Sequence, residues 1–282
     1  QSVTRAQAIN LTRGLTGASC LAKHFHDGLT VVDMGIALPY TCPEILDRSL
    51  GKGTANIAAG PAMPRPAAVQ GILTGMELAA QARQDGIRLL GVGEMGIGNT
   101  TTSSAVLCAL SGESVEAVTG RGGGLTDAAF CRKKQVIEQA LAVNRPDADD
   151  PIDVLCKVGG FDLCAMTGVF LGAAHARLPV VVDGFISIVA ALCAARLCEN
   201  ARGFFFGSHV SYERGYEIAA RLLGLRPCLQ LGMRLGEGSG CPLAFRVVEA
   251  ACAVMNTMAT FPEAAIDDGY LTEIRERDSF TV

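Results

Sequence analysis

The chain has 282 residues, of which 49% are hydrophobic and 18% are charged, with 33 glycines and no tryptophan. A chain of this length can bury a sizeable core as one large domain or two ordinary ones, and its composition excludes a fibre or a disordered tail. The net charge of −4, with no basic stripe or polybasic segment, argues against nucleic-acid and membrane-surface partners.

Helical and extended apolar patterns alternate along the chain. The predicted helices span residues 2–25, 67–83, 104–110, 127–143, 163–177, 187–197, 212–223 and 241–258. The predicted strands span residues 29–34, 89–92, 179–183 and 204–206, with a further strand within 228–235. Residues 41–65 form a long irregular stretch, and loops of that length are usually functional. The alternation predicts an α/β fold with a mostly parallel, Rossmann-like sheet that has helices on both faces.

The eleven cysteines are odd in number and scattered, and they include no CxxC pair. Most lie in apolar helical patterns, so we expect them to be buried, reduced thiols. Reduced thiols are typical of a cytoplasmic protein. The sequence shows neither a signal peptide nor an apolar run long enough to span a bilayer.

The stretch RLLGVGEMGIGNTTTSSAVLCAL, residues 88–110, joins a predicted strand to a predicted helix through a glycine loop. Glycines let the backbone approach a ligand, and the helix N-terminus offers N–H groups, so this loop predicts an anion site. One of residues 99–101 is expected to cap the helix. The loop has neither the Walker A lysine nor the GxGxxG spacing of a dinucleotide fold, so a tight turn without a ligand is the alternative.

A second glycine cluster, residues 120–124, leads into the helix that is predicted over residues 127–143. Arg121, Arg132, Lys133 and Lys134 place positive charge near the start of that helix. The cluster is either a flexible loop with a solvated basic face or the second wall of a phosphate pocket. Because open α/β sheets bind ligands at the carboxyl ends of their strands, we expect the glycine loops to form one composite site.

Two glutamates, Glu94 and Glu237, have glycine neighbours that leave room for a ligand. A carboxylate repels phosphate, so Glu94 is expected to meet a different part of the ligand. Such carboxylates can act as a general base for a nucleophile that carries an N–H group, and a turn or capping role is the alternative. The four histidines show no metal-ligand spacing, so no metal is expected, and Ser208-His209 lies outside any GxSxG motif. His209 is therefore interpreted as structural.

The glycine loops belong to longer motifs: GEMGIGNTTTSSA, GRGGGLTDAAFCRKK, KVGGFDLCAMTGVFLGAA, PVVVDGFIS, SHVSYERG, MRLGEGSG and MNTMATFPEA. Together they resemble the nicotinate-nucleotide:dimethylbenzimidazole phosphoribosyltransferase family over residues 3–265. The resemblance implies transfer of ribose 5-phosphate from nicotinate mononucleotide to a benzimidazole-type base, giving α-ribazole 5′-phosphate for cobalamin. It also implies a homodimer that uses no cofactor. The implied domains are an α/β core at residues 27–240 and a small helical domain from residues 1–26 and 241–282.

The resemblance assigns roles to individual residues. It implies that Glu237 is the catalytic base and that Glu94 lies in the same pocket, nearer the ligand rings. The residues that it implies for substrate binding, besides Glu94, are Gly96, Gly98, Asn99, Thr100, Gly122, Lys133, Asp183, Ser211 and Leu235. Of these, Gly96, Gly98, Asn99 and Lys133 match positions that hold the phosphate and ribose, and Asp183 and Ser211 are weaker matches.

One departure from the family concerns the N-terminal side. Family members carry a KPxGSLG-like motif and an ADHG-like strand end upstream of the segment where this chain begins. We therefore expect the small helical domain to be incomplete and nucleotide binding to survive better than base binding. The alternative functions are a catalytically weak nucleotide-binding paralogue and, on composition alone, a Rossmann-type dehydrogenase, against which the missing GxGxxG motif counts.

Overall fold

The computed structural model describes residues 2–267, 269 and 272. Its helices are α1 (Ser2–Thr12), α2 (Gly17–Phe25), α3 (Arg65–Gln84), α4 (Asn99–Ser111), α5 (Val115–Val118), α6 (Asp127–Asn144), α7 (Pro151–Val158), α8 (Phe161–His175), α9 (Phe185–Leu197), α10 (Gly215–Leu223) and α11 (Gly240–Thr257). Its strands are β1 (Val31–Asp33), β2 (Ile45–Asp47), β3 (Leu90–Val92), β4 (Val180–Val182), β5 (Phe205–His209) and β6 (Pro227–Leu229). A 3₁₀ helix, Glu199–Phe204, precedes β5.

The larger sheet has four parallel strands in the order β3-β4-β5-β6. A separate parallel pair, β1 and β2, aligns Val31 with Ile45. Helices α4 to α8 connect β3 to β4, and α9 and α10 lie in the next two connections, since parallel neighbours need long crossovers. The predicted α/β class, with parallel strands flanked by helices, is confirmed.

Strand β4 has an inner position in this sheet, and its sequence explains why. Val180, Val181 and Val182 are all fully buried, as expected for a parallel strand that is covered on both faces. The helix that follows, α9, is also buried along nearly all of its length. This enclosure fixes the position of Asp183, the residue at the carboxyl end of β4.

Helices α3 and α8 pack backbone against backbone. A Cβ atom at Gly75 would overlap the carbonyl oxygen of Ala165, and a Cβ atom at Gly168 would overlap that of Ile72. Only glycine permits this approach, which replaces side-chain contacts by direct contact of the two main chains. The pairing holds the first turn of α8, which contains Asp162.

The prediction of one helix over residues 2–25 is wrong in its middle. Helix α1 ends at Thr12 because Gly14 adopts a left-handed conformation with a φ of 74°. Thr16 then caps α2 through a capping box with Ser19. Strand β2 and helix α7 lie in stretches where the sequence pattern predicts no regular element.

The N-cap of α4 is Gly98, so the prediction that one of residues 99–101 caps this helix is wrong. Gly98 has a φ of 101°, a conformation that glycine adopts at low cost. Asn99 and Thr100 follow Gly98 as the first two residues of the helix. Their side chains consequently contact other segments of the chain instead of their own helix end.

The chain divides into two compact units, Gln1–Phe245 and Arg246–Val282. Both sheets and all the predicted site residues belong to the first unit. The described part of the second unit begins with the last turns of α11, whose side chains are mostly exposed. The small helical domain from residues 1–26 and 241–282 stays a prediction. Among the described residues, no helix is both long and apolar enough to cross a membrane.

Candidate active site

Two glycine loops meet at the carboxyl edge of the larger sheet. The Glu94 loop, residues 93–98, follows β3, and the Glu237 loop, residues 236–240, leads into α11. A Cβ atom at Gly93 would lie 2.6 Å from the carbonyl oxygen of Glu237 and from Cα of Gly238. Such distances are too short for any side chain, so the two main chains touch here because Gly93 is glycine.

Glu237 is 7% exposed and has a left-handed backbone with a φ of 64°. Its Oε1 accepts a hydrogen bond from Nε2 of Gln7 at 3.3 Å, and its Oε2 accepts one from the N–H of Ala18 at 3.4 Å. Ala18 lies in the first turn of α2, where the positive end of the helix dipole favours a negative charge. Both bonds are long, and a carboxylate has about four acceptor positions, so capacity remains to accept a ligand proton.

Glu94 lies at the centre of a group of carboxylates. Its side chain accepts hydrogen bonds from the amide of Asn99 and from the backbone N–H of Glu237. The same Asn99 nitrogen donates to Oδ2 of Asp162 at 2.9 Å. Burial, together with the charges of Asp162 and Asp183, raises the pKa of Glu94 to about 7. Glu94 can therefore change protonation state near neutral pH.

Asp162 is a site residue that the sequence analysis missed. It lies in the first turn of α8, and burial raises its pKa above the usual range. The signal that could have identified it is the run Gly159-Gly160-Phe161-Asp162, a glycine pair followed by an acid at a helix start. Nothing in that run, however, indicates that Asn99, 63 residues earlier, is its partner.

Asp183 is 2% exposed, and its oxygens face the protein backbone. Oδ2 accepts the N–H of Gly238 at 3.0 Å, and Oδ1 accepts the N–H of Gly240 at 2.8 Å. The N–H of Gly184 is a further donor. Burial and the charge of Glu237 raise the pKa of Asp183 to about 7.

Lys133 lies between α4 and the second glycine loop, residues 120–124. Its Nζ donates to Oγ1 of Thr100 and to the carbonyl oxygen of Gly120, both at 2.9 Å. Burial lowers the pKa of this ammonium group, and the carboxylate of Glu213 opposes that shift. Lys133 therefore joins the second glycine loop to the first turn of α4. The phosphate pocket at this place stays a prediction.

Glu213 is a second residue that the sequence analysis did not single out. Its Oε1 accepts the N–H of Gly122 at 2.9 Å, while Oε2 is buried without a hydrogen-bond partner in the described part of the chain. A Cβ atom at Gly122 would lie 2.7 Å from Oγ1 of Thr100, so the loop passes directly over the start of α4. An open cavity of about 470 Å³ lies alongside and is lined by Thr101, Thr126, Ala128, Ala129, Arg132, Lys133 and Val136.

The remaining predicted residues lie around this centre. Ser211 accepts the N–H of Glu213 at 3.5 Å, and Leu235 packs closely against Gly17 at the start of α2 although it is 57% exposed. In the Glu94 loop, the carbonyl oxygen of Gly96 accepts the N–H of Asn99, and Gly98 caps α4. His209, interpreted as structural, is buried beside Ser208, and burial lowers its pKa.

Helix α1 crosses over both glycine loops. Besides the contact of Gln7 with Glu237, Oγ1 of Thr4 accepts the N–H of Ile97 at 3.0 Å. No sequence motif marks these two side chains. Across the described residues, His, Cys, Asp and Glu side chains form no group of three or more that could hold a metal ion.

A parallel sheet with glycine loops at its strand ends, a buried lysine beside the start of α4 and facing carboxylates is typical of an α/β enzyme with a small-molecule site. The sequence matches the family described as Phosphoribosyltransferase over residues 1–266. The chain belongs to this family.

Similar proteins carry one shared name. The nicotinate-nucleotide–dimethylbenzimidazole phosphoribosyltransferase of Clostridium perfringens is 49% identical over 282 residues, which are 100% of this chain and 78% of that protein. The enzyme of that name from Clostridium tetani is 46% identical over 278 residues, covering 98% of this chain and 77% of that protein. A crystal structure of the enzyme of that name from Thermus thermophilus superposes with a TM-score of 0.89 at 38% identity, covering 95% of this chain and 80% of that one.

Proposed function

We propose that this chain transfers ribose 5-phosphate from nicotinate mononucleotide to 5,6-dimethylbenzimidazole. The products are nicotinate and α-ribazole 5′-phosphate, which provides the nucleotide loop of cobalamin. Relatives that are 46–49% identical over nearly the whole chain are named for this reaction, which supports the proposal. The single observation on which the mechanism depends is the contact between the Glu94 loop and the Glu237 loop, since it joins two carboxylates in one site.

The phosphate of the nucleotide is assigned to the region around Lys133. An ammonium group, the hydroxyl of Thr100 and the N-terminus of α4 suit a phosphate, because each supplies a donor or a positive potential. Gly122 can add a backbone N–H where the second glycine loop passes over Thr100. Glu213 accepts that N–H at 2.9 Å and so holds this part of the loop in place.

Glu237 is the general base. As one nitrogen of the benzimidazole attacks C1′ of the ribose, the bond between C1′ and the nicotinate nitrogen breaks, and its electron pair returns to the pyridine ring. Glu237 takes the proton from the other benzimidazole nitrogen. Attack opposite the leaving group inverts C1′, so a β-nucleotide gives an α-riboside. No step is assigned to a metal or a cofactor.

Glu94 and Asp162 contribute charge rather than a bond. Nicotinate mononucleotide carries a positive pyridinium nitrogen, and positive charge spreads to C1′ as the ring departs. Carboxylates that are already held in place by Asn99 stabilise that charge without having to reorient. This assignment agrees with the expectation that Glu94 meets the ligand rings and not the phosphate.

Other parts of the proposal rest on the sequence alone, through the family resemblance, the net charge and the cysteine pattern. These are a homodimer, a cytoplasmic location, the absence of a nucleic-acid partner, the small helical domain, and substrate contacts from Gly96, Gly98, Ser211 and Leu235. The relatives are named as transferases, which supports an active transferase and not a binding paralogue. Membership of the phosphoribosyltransferase family also argues against a dehydrogenase.

Glu237→Gln tests the mechanism. Loss of a general base typically lowers the rate by about 10²–10⁴-fold, so kcat should fall by that factor. Affinity for nicotinate mononucleotide, measured by calorimetry, should stay close to that of the unaltered enzyme. Glu138→Gln, on an exposed position of α6, is the matched control and should leave both quantities unchanged. Near-normal turnover of Glu237→Gln would assign the base elsewhere.

A further inference from the structure

We infer that Asp183 is a positioning residue. It fixes the Glu237 loop so that the Glu237 carboxylate reaches the N–H group of the benzimidazole. This inference rests on the proposed function of Glu237. It differs from the substrate-binding role that the family resemblance implies for Asp183. The evidence is the arrangement of hydrogen bonds around the Asp183 carboxylate.

The two oxygens of Asp183 hold the loop directly after Glu237. The N–H of Gly238, the next residue, donates to Oδ2 at 3.0 Å, and the N–H of Gly240 donates to Oδ1 at 2.8 Å. Asp183 itself is fixed by the fully buried strand β4 that precedes it. These hydrogen bonds tie the Glu237 loop to the end of a fully buried strand.

The loop needs such a restraint because its backbone is in an unfavourable conformation. Gly236, Glu237 and Gly238 have φ values of 79°, 64° and 85°, three left-handed residues in succession. Glycine adopts this conformation readily, whereas a glutamate does so at a cost. A strained residue of this kind persists only where its surroundings determine its position. The hydrogen bonds from Gly238 and Gly240 to Asp183 hold the backbone in place directly after the strained Glu237.

Asp183 is also enclosed on the side away from the loop. Oγ of Ser208 donates to the Asp183 carbonyl oxygen at 3.0 Å, and Nδ1 of His209 lies 3.7 Å from Oδ1. A Cβ atom at Gly240 would lie 2.8 Å from Oδ1 of Asp183 and 2.6 Å from Oγ of Ser208. A substrate atom therefore has no space beside this carboxylate while the loop is in place.

Asp183→Asn is the informative substitution. Asparagine has nearly the same shape, but its NH₂ group would face the N–H of either Gly238 or Gly240. Two donors cannot pair, so one restraint on the loop is lost. We expect kcat to fall by about 10–100-fold, as misplacement of a reacting group can produce. Affinity for nicotinate mononucleotide should remain within about twofold, since Lys133 and Thr100 are untouched.

A double-mutant cycle with Glu237→Gln makes the test specific. If Asp183 acts only through Glu237, then Asp183→Asn should lower kcat by less than about threefold in the Glu237→Gln background. The same fractional loss in both backgrounds, or a nucleotide affinity that falls tenfold or more, would overturn the inference. Near-normal turnover of Glu237→Gln alone would instead mean that the proposed base is wrong.

Two further variants complete the experiment. Asp149→Asn, at an exposed loop position, is the control and should match the unaltered enzyme. If Asp183→Asn gives no soluble protein, Gly240→Ala enters the same cycle, because its Cβ would displace Oδ1 of Asp183 from the other side of the contact. A loss of kcat that largely disappears in the Glu237→Gln background supports the inference. An equal fractional loss of kcat with and without Glu237→Gln opposes it.

Discussion

Lys133, the cation proposed to bind the phosphate, is buried. Its neighbours in the next positions, Arg132 and Lys134, are less enclosed, and Lys134 is paired with the exposed Glu116. Among the described residues, Lys133 donates hydrogen bonds to a hydroxyl and a carbonyl oxygen, and it interacts electrostatically with Glu213. A buried ammonium group without a bonded carboxylate has much to gain from an arriving phosphate.

Lys133→Met should therefore weaken binding of nicotinate mononucleotide by about 10–100-fold, the effect of losing one charged hydrogen bond. Methionine fills the volume of the lysine stem, so the second glycine loop should keep its place. Binding of dimethylbenzimidazole should change little. Lys134→Met is the adjacent control, and calorimetry with each ligand measures all four affinities. Equal nucleotide affinity in the two variants would place the phosphate elsewhere.

Glu94 gives a prediction about pH and stability. Its pKa is about 7 in the folded protein and near 4.5 in the unfolded chain, so the folded state binds more protons between these values. Its contribution to stability is therefore lost as pH rises from about 4.5 to 7, and the penalty persists above 7. Glu94→Gln should raise the free energy of unfolding at pH 8 by about 2 kcal/mol more than at pH 5.

Chemical denaturation at the two pH values measures this difference for Glu94→Gln and for the control Glu138→Gln. The control should show the same change from the unaltered protein at both pH values. A Glu94→Gln effect that is also independent of pH would contradict the raised pKa. Asp183 has a raised pKa too, and its charge helps to raise the pKa of Glu94. Because this coupling is reciprocal, Glu94→Gln also lowers the pKa of Asp183, and the measured difference reports both carboxyl groups.

The sequence identified the site residues that lie in glycine-rich motifs, but it did not identify the distant residues that pair with them. Glu94, Asn99 and Lys133 belong to glycine-rich motifs, so the sequence indicates them, and the structure gives each a partner. Asn99 donates to Asp162, which lies 63 positions further along the chain. Gly122, in the glycine loop before Lys133, donates to Glu213, which lies 91 positions further along. Pairings at such separations depend on the packing of the whole unit, which no local pattern contains.

At the scale of elements, the pairing of α3 with α8 is the closest contact between helices. Four glycines on the facing sides make it, and they are spaced by four in each helix: Gly71, Gly75, Gly168 and Gly172. In the sequence these glycines lower the helix propensity of both segments. The partner helix explains them. Gly75, Gly168 and Gly172 each admit main-chain atoms of the other helix, and Gly71 admits the Cβ atom of Cys164.

Gly75→Ala should destabilise the protein by about 3 kcal/mol, although alanine favours an isolated helix by up to about 1 kcal/mol. The clash decides the sign, because the new methyl group would overlap the carbonyl oxygen of Ala165 and approach the N–H of Val169. Gly28→Ala is the control, since that position is exposed with nothing within 4 Å of an added Cβ. Thermal unfolding of both variants measures the difference, and a stabilised Gly75→Ala would show that the helices can separate.

The sequence predicted the ends of helices and strands well where a local signal, such as a capping residue, marks the end. Helix α6 begins at Asp127, after the Thr126 cap, as the sequence indicates. The break between α1 and α2 was missed because it depends on the conformation of one glycine, Gly14, inside a helical pattern. Strand β2 was missed because three residues are too few to show a period, and only its pairing with β1 defines it.

On the scale of the whole molecule, the eleven cysteines are all unpaired, and they divide by exposure. Five are buried: Cys108, Cys156, Cys164, Cys193 and Cys241. Five are exposed: Cys20, Cys131, Cys198, Cys228 and Cys252, and Cys42 is intermediate. Most of the buried thiols act as small apolar groups in the hydrophobic core. The prediction that the cysteines are buried is wrong for the five exposed ones, and their reduced state stays a prediction.

Burial raises the pKa of Cys108 and of Cys193 to about 12, so neither forms a thiolate at neutral pH. Since the thiolate is the reactive form, a thiol reagent added to the native protein should modify the exposed cysteines quickly and the buried ones only after unfolding. Unfolded protein that has never been reduced should titrate as about eleven thiols, because none is paired. A total lower by two or more would reveal bridged pairs and contradict a reducing compartment. Rapid native modification of the buried group would instead mean that the core opens on the timescale of labelling, since neither their exposure nor their pKa permits direct reaction.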